Sequence, residues 1–465
     1  MPQAYGPHMK KPILIILVLL LLGFAAAFYF VSRGKPALLS VEEVTGAKPT
    51  ISSPRPEKLP TVNIADPVGW PNGAKPDAPK GLNVAAFADK LDHPRWMYLL
   101  PNGDVLVAET NSPPRETGGI KNWIMRTLMG RAGAGVPSAN RITLLRDSDG
   151  DGKVDQRTVF LEGLNSPFGM ALVGNTLYVA NTDSVMAFPY ETGQTRITAK
   201  GTKVVDIPGG DGHWARNVIA SPDGKLLYVT VGSASNIGEN GMDKEVNRAA
   251  VLEVDPAKKS FRIYATGLRN PNGLAYEPKT GCLWTTVNER DMLGGDLVPD
   301  YMTCVEFGAD YGWPNSYWGG YQDNRVEPYR PDRLEYVKRP DFALGPHVAA
   351  LGLAFADGAN LGPAYANGAF IGLHGSWNRK PASGYKVVWV PFGPNGYPLP
   401  NAKPQDFLTG FLVGDEARGR PVGVIKDRTG ALLVADDVGN VIWRVSAPGA
   451  APAAPAGAAP RASGS

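Results

Sequence analysis

"NVIASPDGKLLYVTVGS", residues 217–233, decides the fold. Apolar residues lead into a Ser-Pro-Asp-Gly turn, and the β-rich run "LLYVTV" follows it. That is the pattern of a β-hairpin. The same pattern returns as "WMYLLPNGDVLVAET" from Trp96, "FGMALVGNTLYVANTD" from Phe168 and "NGLAYEPKTGCLWTTVNE" from Asn272. "VGVIKDRTGALLVADDVGN" from Val422 repeats it, and "LGLAFADGANLGPAYANGAFIGLHGSWN" from Leu351 is a stretched copy. Copies at intervals of roughly fifty residues or more, each a small antiparallel sheet, predict an all-β, six-bladed β-propeller around a central channel. A β-sandwich has no need of six similar copies.

Composition agrees. The 465 residues include 55 Gly and 42 Pro, which favours many tight turns over long helices. The net charge of +3 is spread over scattered lysines and arginines, so nucleic acid is not a partner. Cys282 and Cys304 exclude a disulfide scaffold and leave one bridge or two buried thiols as the alternatives.

Ahead of the repeats, a short tail (1–11) precedes an uncharged apolar run, Pro12–Val31. We expect residues 12–33 to form one N-terminal transmembrane helix, or a signal peptide cleaved near Ala25 and Ala27. In a bacterial chain this places the domain in the periplasm, anchored to the inner membrane or released. Residues 34–80 read as a Pro-rich linker, 81–446 as the propeller, and 447–465 as a disordered Ala/Pro tail.

A propeller gathers loops from every blade at one end of its channel. His213 lies four residues ahead of one unit, Arg269 and Asn270 ahead of the next, and Arg418 and Arg420 ahead of the last. Asp436 and Asp437 follow that last unit's strand. In register, His213, Arg269, Asn270, Arg418 and Arg420 converge on one mouth. Such a set suits a polyanionic ligand with a proton acceptor beside it. The plainer alternative is that each arginine braces a loop. His347 precedes a unit and either lines the mouth or packs in the core. His93 reads as structural, and Trp214 as a stacking platform or core. "DSDGDGKVD", 147–155, sets Asp147, Asp149, Asp151 and Asp155 in the order of a calcium loop without its final glutamate. A structural calcium and a solvated turn are its two readings. There is no HExxH, GxSxG, P-loop or helix-opening GxGxxG.

Together "GGDGHWARNV", "GLRNPNGLAYEPKTGCLWTTVNERD", "GADYGWP", "HGSWNR" and "GRPVGV" resemble the glucose/sorbosone dehydrogenase family, nearest to its membrane-anchored L-sorbosone branch. The resemblance implies a six-bladed propeller that oxidises a sugar or sugar aldehyde using pyrroloquinoline quinone and Ca2+. It makes His213 the base and Arg269 the partner of the reacting quinone oxygen. Asn270, Arg418, Arg420 and Asp436 fall in the cofactor pocket, and main-chain carbonyls near Glu289 and Arg290 at the calcium. The sequence departs from the family at that calcium loop, where Glu-Arg replaces Gly-Pro and Glu289 has a carboxylate to offer. It departs again at a pocket glutamine, whose place falls near Asn165, and at a lysine that His374 or Arg379 has to replace. Electrons then pass to a respiratory quinone or cytochrome. A calcium-dependent lactonase on the same fold and a non-catalytic binding propeller are the rival readings.

Overall fold

The computed structural model describes residues 10–32, 34–114, 127, 130–133 and 135–449. The expected tails, 1–11 and 447–465, lie largely outside this range. Six four-stranded antiparallel sheets follow one another along the chain. Their innermost strands are Pro94–Leu99, Met170–Val173, Val218–Ala220, Pro271–Tyr276, Ala350–Phe355 and Pro421–Lys426. Each touches the innermost strand of the next sheet, and the last touches the first, so the six sheets are blades around a channel.

Side-chain alternation explains why central strands are buried from end to end. In Leu432–Asp436, Leu432 and Val434 pack into the gap facing the fifth blade, while Leu433 and Ala435 pack into the gap facing the first. Period two puts neighbours on opposite faces, and here both faces meet another blade. All six gaps between blades hold such a cluster. Trp96, Phe168, Leu351 and Val422, on or beside the innermost strands of four blades, belong to one buried cluster.

The sixth blade combines both ends of the domain. Asn83–Ala88 pairs antiparallel with Val441–Ser446 and supplies the outer strand. Cys282 and Cys304 form a disulfide between neighbouring strands of the fourth blade.

Two expectations need correction. A helix forms over Lys10–Ser32, but no helix among the described residues is long and apolar enough to cross a membrane. Residues 34–80 are not a free linker. They lie along the propeller as a strap, burying Val44, Thr45 and Ala65 and pairing Asp66–Pro67 in parallel with Glu416–Ala417.

Candidate active site at the channel mouth

Second strands end, and first strands begin, at the same face of the propeller, so loops 207–217, 288–298, 374–385 and 437–440 share one mouth. His213 stands on the first of these loops. Its backbone N–H donates to Ser233 O at 3.0 Å, and its ring Nδ1 lies 2.9 Å from the same carbonyl. The carbonyl only accepts, so Nδ1 carries the hydrogen and Nε2 keeps its lone pair. Burial, and then the charges of Arg269, Arg248 and Arg216, hold the imidazole well below its ordinary range. It is therefore neutral at neutral pH, and a proton acceptor.

Gly232 separates His213 from Asn270. A Cβ there would lie 2.6 Å from His213 Cβ and 2.4 Å from Asn270 Oδ1, so only glycine lets the two sit together. Asn270 Oδ1 is buried without a hydrogen-bond partner. Arg269 is largely committed: Nη1 donates to Glu289 O at 2.6 Å, and Nε and Nη2 donate to Asn236. Asp291 lies 3.7 Å from it. Burial pushes the Asp291 carboxyl up, but the bond from His347 and the charge of Arg269 outweigh this and hold it below the carboxylate range. His347 is bonded through both ring nitrogens, to Asp291 and to Gly294 O, so it braces Asp291 rather than lining open space.

A second group faces the first across the mouth. Arg95, from the innermost strand of the first blade, pairs with Asp437, which His374 also contacts at 2.8 Å. Burial pushes the Asp437 carboxyl up, yet His374, Arg95 and His93 beside it hold it well below the usual range. Burial dominates in His93, whose pKa falls to about 4. The Arg95 guanidinium lies 5.8 Å from the Trp214 ring centre, and Trp214 packs edge-on against Phe168. Trp214 also lines a cavity of about 330 Å³ with Pro113, Asn165, Thr182, Asp183 and Asp211. Arg420 donates to the Tyr385 hydroxyl at 3.0 Å. The Nε atoms of Arg95 and Arg420, and Asp437 Oδ1, are buried with no partner.

Other expected site residues are elsewhere engaged. Asp436 is closed off by the Arg420 and Gly439 N–H groups on one oxygen and the Trp70 and Trp443 indoles on the other. Burial raises it to about 6. It clamps the strap and is not free for a ligand. Arg379 braces Gly295 O and Pro381 O. Nothing among the described residues pairs with the Arg418 side chain, and nothing ties it to the mouth. Glu289 gives its carboxylate to Arg290, whose guanidinium is spent on Pro314 O and Ser316 O. The Glu289 carbonyl already accepts from Arg269, a cation. The Glu289 carboxylate and carbonyl are therefore both engaged, and neither is spare for a calcium. In 147–155, Asp147, Asp149 and Asp151 bring carboxylate oxygens within 4.8 Å of one another. Asp155 does not join them; it accepts from the Ser148 N–H. That loop lies at the end of the propeller opposite the mouth.

Arg95, Asp437, Asp291 and Asn236 were not singled out as site residues from sequence. Arg95 stands one residue after the proline of "DHPRW", as Asn272 does in "RNPNG". That shared register was the available signal.

The mouth is thus a cationic and imidazole-bearing pocket with spare buried donors, bordered by an indole, on a six-bladed propeller. The chain belongs to the TrAA12-like family, whose sequence profile matches residues 76–299 and 332–447. An uncharacterized protein of Borreliella burgdorferi is 28% identical over 61% of this chain and 76% of its own. Aldose sugar dehydrogenase YliI of Escherichia coli is 22% identical over 60% of this chain and 74% of its own. Among solved structures, the holo pyranose dehydrogenase PQQ domain of Coprinopsis cinerea superposes with a TM-score of 0.65. The match covers 82% of this chain and all of that one at 21% identity. The likeness to sugar dehydrogenases expected from the motifs is borne out.

Proposed function

We propose that this protein oxidises a sugar or sugar aldehyde with pyrroloquinoline quinone, His213 serving as the base. The observation that carries this is the set of unpartnered buried atoms around the mouth: Arg95 Nε, Arg420 Nε and Asn270 Oδ1. Guanidinium donors left without acceptors suit a flat molecule bearing carboxylates, and the Trp214 face suits its ring. When bound, the quinone supplies the hydride acceptor that side chains lack.

Neutral His213 takes the proton from the substrate hydroxyl through Nε2. Its Nδ1–H bond to Ser233 O holds the ring and stabilises the imidazolium as it forms. Arg269, fixed by Asn236 and Glu289, adds positive charge beside negative charge developing on oxygen. Asp183 and Asp211 on the cavity rim favour a neutral polyhydroxy substrate over an acidic one. We assign electron delivery to a respiratory quinone or cytochrome, and a structural calcium to the Asp147–Asp151 loop. The Cys282–Cys304 bridge supports an exported domain. A lactonase needs several carboxylates around one metal. Among the described residues the only such trio lies at the opposite end of the propeller.

Reconstituting the purified protein with the quinone, then following dye reduction with aldoses and sorbosone, tests the reading. No reduction with any sugar, despite quinone uptake, counts against it.

A further inference from the structure

The strap crosses the loops of the mouth on three successive blades. Asp296, on the fourth-blade loop, accepts the Leu38 N–H at 2.9 Å and Arg55 Nη2 at 2.8 Å. The fifth-blade loop gives Lys380 O to Ala37 N–H, Trp377 O to Asn63 N–H, and Arg379 O to the Asn63 amide. At the sixth blade, Trp70 Nε1 donates to Asp436 Oδ2 at 2.7 Å.

This last contact is the closest to the site. The other oxygen of Asp436 holds the backbone N–H groups of Arg420 and Gly439, each at 2.8 Å. Arg420 carries one of the spare buried donors, and Asp437, the next residue, anchors Arg95 and His374. The indole seats edge-on between Phe411 and Trp443, with ring centres 5.3 and 5.2 Å away. A Cβ on Gly439 would lie 2.7 Å from its Cδ1, so no larger residue fits beneath it. Residues 34–75 also fall outside the matched family profile.

We propose that the strap is a positioning element for the channel-mouth site, with Trp70 as its key residue. By holding Asp436, Trp70 fixes the 418–420 and 436–439 turns that present Arg420 and Asp437. The inference about cofactor rests on the proposed function; the inference about the turns does not.

Trp70→Phe keeps an aromatic ring between Phe411 and Trp443 and removes the N–H donor together with part of the ring's bulk. Two measurements test the proposal on the full chain: amide hydrogen exchange, and equilibrium binding of pyrroloquinoline quinone read from the quinone's own absorbance. The expected result is exchange about tenfold faster at Arg420 and Gly439, with His213 and Ser233 unchanged, and a dissociation constant raised about tenfold. Trp70→Ala should enlarge both effects. Unchanged exchange at Arg420 and Gly439, or equal acceleration in every blade, overturns the proposal. If the unmodified protein binds no quinone, the proposed function fails while the exchange comparison still decides the role of the strap.

Discussion

The role proposed for His213 as a base rests on one bond. With Nδ1–H held by Ser233 O, only Nε2 is left to take a proton. His213→Gln should leave quinone uptake intact and cut dye-linked turnover by about 10²–10⁴. The direction of its shift sets the pH profile. A lowered pKa keeps the imidazole neutral as pH falls through its usual value near 6.5, so the acid limb of kcat/KM should lie below that point. Arg95 makes a different prediction. Removing its spare donor and its charge over Trp214 in Arg95→Ala should weaken quinone binding, measured by titration, about tenfold or more. His213 was legible from sequence because a rare residue in a glycine-loosened loop stands out. Arg95 was not, since its one signal, the place after a proline that it shares with Asn272, speaks only once the blades are laid in register. Asp436 misled for the complementary reason: a carboxylate at a strand end looks available until the tryptophan that closes it arrives from residue 70.

Between residue and fold lies a repeated device in the innermost strands. "PFGM", "PNGL", "ALGL" and "PVGV" each place a glycine where the next blade comes closest. A Cβ on Gly169 would sit 2.3 Å from Val218 N, and one on Gly273 2.5 Å from Leu351 O. The same holds at Gly352, 2.3 Å from Val422 O, and at Gly423, 2.7 Å from Arg95 O. These obstacles are backbone, which has nowhere to rotate, so blade must move from blade. Gly273→Ala should cost about 1–3 kcal/mol in denaturant unfolding, with partial loss of quinone binding because Asn270 opens the same strand. Hairpin alternation made these strands legible from sequence. The strap was not, because its prolines and polar residues look like a linker wherever hydrogen bonds to distant loops are invisible. The Asp147–Asp151 loop has a test of its own: calcium should bind in titration calorimetry, and Asp149→Asn should weaken it.

At the scale of the whole molecule, six blades form a ring only if something closes it. The closure is the strand Asn83–Ala88, whose Ala86 faces Trp443 and whose Phe87 and Ala88 enter the gap between the sixth and first blades. The disulfide is a local reinforcement by comparison. Its partners are 22 residues apart, so reducing it should cost about 3 kcal/mol and leave the ring shut. Closure is another matter. A chain starting at residue 89 lacks the outer strand of the sixth blade, and Val441–Ser446 becomes a bare edge with Trp443 half uncovered. Opening one blade removes the wall against which its neighbours pack, so that chain should lose its single cooperative transition and associate through the edge. A chain starting at residue 81 keeps the closing strand and loses only the strap. It should unfold in one transition at a lower midpoint, with faster exchange confined to the mouth loops of the fourth to sixth blades. Denaturant melts and size-exclusion chromatography of the two chains separate the roles. If both chains lost the single transition, the strap would be what holds the ring; if both kept it, the strand Asn83–Ala88 would not be its closure.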